Sequence, residues 1–253
     1  MVECHVITLD RTVDNFYKQK PHLMNSGLIP KVFFGTDAKK GDHTKHDELL
    51  TPVCKNFCPD GLIGCGLSHI LLAKKLFKQG TQLALILEDD AYPVHSDMNQ
   101  EIQKVISETP RDWDIIKLHC DFCTDNDSDP IGGSAAAYLI NYSGLEKIKD
   151  MKLDWHFDIQ ILLDPSLHVY KSKENLFWAD ETTSDNRDSS STFIGKLFNF
   201  NKTGQKTTDH MMSYKLFKVF GYEVSGWNLI IIIIILLCYF KYVRAWQKNS
   251  FKV

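Results

Sequence analysis

The sequence has no surplus of basic charge: 29 lysines and arginines face 32 aspartates and glutamates, for a formal net charge of -3. Nucleic-acid-binding domains carry a clustered basic excess, so DNA and RNA are not expected as partners. Disulfide density is also missing, with seven cysteines scattered over 253 residues. That excludes a secreted cysteine scaffold, and the odd number reads as free thiols in a reducing compartment. The spacings of Cys54 with Cys58 and of Cys120 with Cys123 occur in four-thiolate zinc sites, which stays open as an alternative. No basic leader opens the chain. Met1 to Leu9 is short and apolar and meets Asp10 and Arg11 at once, so a first strand is expected there rather than a secretory signal. No internal repeat is present.

A hydrophobic content of 43% with 24% charged residues is that of a folded protein, and the length suffices for one catalytic domain. Strands are expected at 2–9 and 31–34, the second closed by Gly35, Thr36 and Asp37. Residues 41–60 are polar and read as a surface loop. Leu67, Ile70, Leu71, Leu76 and Phe77 follow helical spacing up to Gly80. Leu83 to Leu87 is a continuous apolar run, as in a central strand covered on both faces. A helix over 98–108, strands over 114–118 and 135–140, and helices over 143–149 and 155–163 complete the pattern. Strands alternating with helices predict an α/β fold with a mainly parallel sheet.

The chemistry is expected where the central strand ends. Leu87 is followed by Glu88, Asp89 and Asp90. Open α/β sheets bind ligands beyond the carboxyl ends of their strands. Three adjacent acids repel one another, and a divalent cation relieves that repulsion. If the strand stays extended, Glu88 and Asp90 face the same way and can share an ion. Oxygen ligands suit Mn²⁺ or Mg²⁺, which also bridge a diphosphate. The plain alternative is a solvated acidic edge.

Four stretches, in order, resemble glycosyltransferase family 25, which includes bacterial lipopolysaccharide sugar transferases and animal procollagen galactosyltransferases. Val6-Ile7-Thr8-Leu9-Asp10-Arg11 is similar to its opening strand and turn, with Thr8 where the family has Asn. Gly61-Leu62-Ile63-Gly64-Cys65-Gly66-Leu67-Ser68-His69 resembles its GxxGCxxSH signature. Leu85-Ile86-Leu87-Glu88-Asp89-Asp90 resembles its LILEDD hallmark. Ala137-Tyr138-Leu139-Ile140 and Phe157-Asp158 resemble a later strand and helix start. The resemblance runs from residue 1 to about 190.

It implies a GT-A nucleotide-sugar transferase fold, a UDP-sugar donor, Mn²⁺ or Mg²⁺ at Glu88, Asp89 and Asp90, and inversion at the anomeric carbon. The expected reaction moves a hexose, galactose or glucose, to a glycan, lipid-linked or hydroxylated protein acceptor. Single displacement needs a general base for the acceptor hydroxyl, and Asp158 is the candidate; helix capping is its plain alternative. Thr8, Asp10 and Arg11 are expected at the donor edge. Gly64 and Gly66 are read as a tight turn into a helix whose free N–H groups face a phosphate, with Ser68 and His69 beside it. Arg187, in a polar stretch, is a candidate diphosphate clamp. Two other function classes remain: a degenerate sugar- or protein-binding module without turnover, and a metal-dependent phosphoesterase, for which ligand-like histidine spacing is lacking.

The domain expectation is a transferase domain over 1–195, a linker over 196–223, a single C-terminal transmembrane segment over 224–243 and a short basic tail over 244–253. Leu229 to Phe240 is apolar throughout, with six consecutive isoleucines, and Trp227, Tyr239, Tyr242 and Trp246 are placed like interfacial anchors. A tail-anchored membrane protein with a cytosolic catalytic domain is expected.

Overall fold

The computed structural model describes residues 2–120, 134–179 and 212–250, with side chains described as far as Lys241. The chain divides into two units, Met1–Lys55 with Asp60–Thr183, and Asn56–Pro59 with Ser184–Val253. In the first, strands β1 (Glu3–Thr8), β2 (Pro30–Phe34), β3 (Leu83–Glu88), β5 (Ile115–Lys117), β6 (Ala137–Asn141) and β7 (Val169–Lys171) form one sheet in the order β2-β1-β3-β6-β5-β7. The β2/β1, β1/β3 and β5/β7 pairs are parallel, and β6 runs antiparallel to both neighbours. The fold is therefore α/β with a mixed, mostly parallel sheet. A small antiparallel pair, β4 (Ala91–Pro93) with β8 (Phe177–Ala179), stands just past β3.

Strand alternation divides the core between two faces. Cys4 and Val6 of β1, Leu85 and Leu87 of β3, and Ala137 and Leu139 of β6 share one face with Phe16 and Leu23 of α1 (Val13–Asn25) and Met98 and Ile102 of α4 (Met98–Glu108). The other face carries Glu88 and Tyr138 toward α3 (Asp60–Lys78), which also contacts α5 (Tyr142–Ile148) and α6 (Phe157–Leu163). Local signals set the ends of these helices. Asp97 caps α4 by accepting from the Gln100 N–H at 3.1 Å, and Asn141 caps α5 through Gly144 N–H at 2.9 Å.

Three sequence expectations are corrected. Residues 41–60 are not a plain loop: they contain 3-10 turns over Asp42–Leu49, helix α2 (Pro52–Phe57) and the start of α3. Helix α1 was not expected at all. The third correction concerns the start of α3, at Asp60 instead of near Leu67, and it alters the reading of the site.

In the second unit, β9 (Lys215–Val219) and β10 (Tyr222–Ser225) form a hairpin across the end of the expected linker and the start of the expected transmembrane segment. Phe220 and Gly221 turn it with φ of 48° and 83°, the two positive values that match the twist of a tight hairpin. Helix α7 (Gly226–Ser250) follows. Among the described residues no helix is long and apolar enough to cross a membrane, so the transmembrane span expected over 224–243 is not found.

Candidate functional site

The site is built on the carboxyl ends of β1 and β3. Strand β3 ends at Glu88, and the chain turns through Asp89 and Asp90 into β4. Gln19, fully buried on α1, donates through Nε2 to the Glu88 carbonyl at 2.8 Å and also to the Ala91 carbonyl. One side-chain amide thus pins both ends of the acidic turn. Nothing local in the sequence marks Gln19 for this role.

The turn separates the three acids, because extended alternation stops at Glu88. The Asp89 carboxylate is directed to the β1 side, where it accepts from Thr8 Oγ1 at 2.5 Å and Thr12 Oγ1 at 3.2 Å. Desolvation raises its pKa above the ordinary carboxylate range, opposed by the Thr8 bond and reinforced by the charge of Glu88. Glu88 faces α3, where its Oε1 lies 3.2 Å from His69 Nε2 and 3.5 Å from Cys65 Sγ. His69 is buried, bonded through Nδ1 to the Tyr138 hydroxyl at 2.9 Å and stacked on Phe157 at 4.8 Å between ring centroids. The run Glu88, Asp89, Asp90 therefore does not converge on one point. Among the described residues, the metal-ligand atoms that do converge are those of Cys65, His69 and Glu88, all within 4.8 Å of one another.

Asp158 enters the same place. It lies in the first turn of α6, one residue after the Phe157 ring that covers His69. Its Oδ1 accepts from the Ile159 N–H at 3.0 Å and lies 3.7 Å from His156 Nδ1. The Cys65 thiol registers the surrounding charge: desolvation pushes its pKa well up, and the carboxylates of Glu88, Asp158 and Asp90 push it further. Glu88, Asp90 and Asp158 thus all lie within electrostatic reach of Cys65, while Asp89 braces the turn through Thr8 and Thr12.

The glycine signature works differently from the expectation. Gly64 and Gly66 lie inside α3, four and six residues past its first position, so the N–H groups around Ser68 are not free to meet a phosphate. The glycines permit close packing. A Cβ on Gly64 would lie 2.7 Å from the Thr36 carbonyl oxygen, and one on Gly66 2.6 Å from the Leu153 side chain. Ser68 is buried, accepts from the Thr36 N–H at 2.8 Å and donates to the Gly64 carbonyl at 2.6 Å. It ties α3 to the loop after β2, so Gly64 and Ser68 are structural. Replacing Ser68 with alanine leaves the buried Thr36 N–H without its acceptor and is expected to cost about 1–3 kcal/mol. A shifted denaturant midpoint is the measurement, and an unchanged midpoint would contradict the assignment.

At the donor edge Thr8 is buried on Asp89, and Asp10 is exposed at the turn after β1. Arg11 Nε donates to Asp37 Oδ2 at 2.8 Å, and Lys40 lies 3.9 Å from the same oxygen. Asp37 is buried, and no sequence signal singled it out. Arg187 lies outside the described residues. Cys120 is disulfide-bonded, so free thiols throughout and the four-thiolate zinc alternative are both corrected. Cys54 and Cys58 are buried and form no disulfide.

Lys117 was also missed. It ends β5, is 2% exposed, and its Nζ has no hydrogen-bond partner among the described residues. Desolvation lowers its pKa to about 8, against the opposing pull of the Asp158 charge. The linkage sign follows from that depression. Below pH 8 the folded state holds a cation that the unfolded chain solvates freely, so the penalty is fully present. It fades as pH rises from about 8 to 10.5, where the unfolded chain still binds the proton and the folded one has released it. Lys117→Met is accordingly expected to stabilise the protein at pH 7 by about 1–3 kcal/mol. Denaturant unfolding at pH 7 and near pH 10.5 checks this, since the gain should shrink at the higher value; a loss of stability at pH 7 would contradict it.

The sequence pattern described as Glycosyltransferase family 25 (LPS biosynthesis protein) matches residues 1–130, about half of this chain. That stretch contains β1, α3, β3 and the acidic turn, and stops before Asp158. No curated protein matches the chain. Two solved structures are distantly similar. The crystal structure of A197 from STIV shares 10% identity, over 71% of this chain and 86% of that one, with a TM-score of 0.41. A Drosophila beta-1,4-galactosyltransferase 7 mutant, crystallised with manganese, UDP-Gal and xylobiose, shares 12% identity over 82% and 84%, with a TM-score of 0.40.

Proposed function

The chain belongs to glycosyltransferase family 25 and is a glycosyltransferase, and we propose that it moves a hexose, galactose or glucose, from a UDP-sugar to an acceptor hydroxyl with inversion at the anomeric carbon. The acceptor class is a glycan, a lipid-linked sugar or a hydroxylated protein. One observation carries the reading: Glu88 and Asp90, from the turn that ends β3, and Asp158, from the start of α6, all bear electrostatically on Cys65.

Sugar transfer develops positive charge on the ring and negative charge on the departing diphosphate. The oxygens of Glu88 and Asp90 fit a hard divalent cation such as Mn²⁺ or Mg²⁺, which would offset the charge of the diphosphate. The chain's own groups do the rest. Asp158 accepts the proton of the attacking acceptor hydroxyl. Its backbone bond from Ile159 holds one carboxylate oxygen and leaves the other for that proton. His69, fixed between Tyr138 and Phe157, holds Glu88 in one orientation. Lys117 supplies positive charge in a dry setting, where it acts more strongly than it would in water.

The stereochemical outcome tests the reading. Proton NMR of the first product formed from an α-linked UDP-hexose, with the intact chain and Mn²⁺, is expected to show the β-linked sugar. An α-linked first product would sink the single-displacement role of Asp158.

A further inference from the structure

We propose that Cys65, His69 and Glu88 form a binding site for a zinc-class divalent ion, with a sulfur, a nitrogen and an oxygen ligand and a fourth position open. The three come from two rigid elements. Cys65 and His69 are one turn apart on α3 and present the same face, while Glu88 ends β3 opposite them. Zinc bonds of about 2.0–2.3 Å to these atom types put neighbouring tetrahedral ligands roughly 3.3–3.7 Å apart. The 3.5 Å from Cys65 Sγ to Glu88 Oε1 and the 3.2 Å from His69 Nε2 to the same oxygen already approximate two such edges. All three atoms lie within 4.8 Å of one another, so small side-chain rotations close the third.

The surroundings suit a ligand set as well as its members do. A metal-bound histidine ordinarily donates its second ring nitrogen to a fixed partner, which sets tautomer and orientation. Here Tyr138 lies 2.9 Å from Nδ1 and Phe157 clamps the ring with an interplanar angle of 5°. Without an ion, Nε2–H donates to Glu88 and the Tyr138 hydroxyl donates to Nδ1. With one, the ring proton sits on Nδ1 and the hydroxyl accepts it, which a hydroxyl can do equally well. The Cys65 thiol releases its proton to solvent and the sulfur binds as thiolate. Thiolate and imidazole favour zinc-class ions over Mn²⁺ or Mg²⁺, which prefer oxygen alone. An ion bound here takes hold of Glu88 from the side opposite Asp89.

The test reads the metal alone and is independent of sugar transfer. Co²⁺ titrated into the intact chain under anaerobic conditions is expected to produce a near-ultraviolet thiolate-to-cobalt band and the visible bands of four-coordinate cobalt, and Zn²⁺ should abolish both. Cys65→Ser should remove the thiolate band, and Tyr138→Phe should weaken Co²⁺ binding roughly 10–100-fold. No thiolate band in the wild type, or one that persists in Cys65→Ser, would overturn the site. A second measurement needs no variant: Zn²⁺ should slow iodoacetamide labelling of Cys65, followed by peptide mass spectrometry, and a rate unchanged by Zn²⁺ would equally overturn it.

Discussion

Asp158→Asn is expected to keep donor affinity and to lose roughly 10²–10⁴-fold in transfer rate, the contribution of a positioned general base. The substitution is nearly isosteric. The asparagine carbonyl still accepts from the Ile159 N–H, so the start of α6 and the Phe157–His69 stack should survive. What is removed is the lone pair that takes the acceptor proton, together with a negative charge near Lys117 and His156. Steady-state transfer kinetics beside equilibrium binding of UDP separate these effects. Transfer within a few-fold of wild type would leave Asp158 as a helix-start residue and nothing more.

The second large effect is expected from Glu88→Gln combined with Asp90→Asn. The pair should remove the gain in UDP affinity that Mn²⁺ confers, and lower transfer by at least about 10²-fold, the scale of a lost charge-stabilising group. Glutamine still accepts from His69, and the backbone carbonyl held by Gln19 is untouched, so the turn should keep its shape. Asp89→Asn is the informative contrast. Its carboxylate is spent on Thr8 and Thr12, so it should act on stability more than on metal-supported binding. Calorimetry of UDP with and without Mn²⁺ reads both, and undiminished metal-dependent affinity in the double variant would remove Glu88 and Asp90 from the site.

The central strand was open to reading because Leu83 to Leu87 is an unbroken apolar run, and the acids that end it follow at once. Helix α1 was hidden by Pro21 inside it and by a buried face of only Phe16, Gln19 and Leu23. The most consequential misreading was Gly64 and Gly66. Two glycines near a helix usually signal a turn, but here they let α3 approach Thr36 and Leu153. Once the helix is extended back to Asp60, Cys65 and His69 fall on one face, and the pair becomes visible as ligands. Lys117 and Gln19 have no such signal. A buried amine with no hydrogen-bond partner among the described residues and an amide spanning a turn are properties of tertiary placement, which pattern and spacing do not encode. In the tail, the isoleucine run was conspicuous, but among the described residues no helix is long and apolar enough to cross a membrane.

If the acids beyond β3 and the carboxylate of α6 together make a nucleotide-sugar transfer site, a donor screen will show it: the intact chain with UDP-, GDP- and CMP-sugars, each with and without Mn²⁺, following release of the nucleotide. Mn²⁺-supported release of UDP from UDP-galactose or UDP-glucose is expected, abolished in the Glu88→Gln/Asp90→Asn variant. Release that ignores Mn²⁺ and survives that double substitution would contradict it.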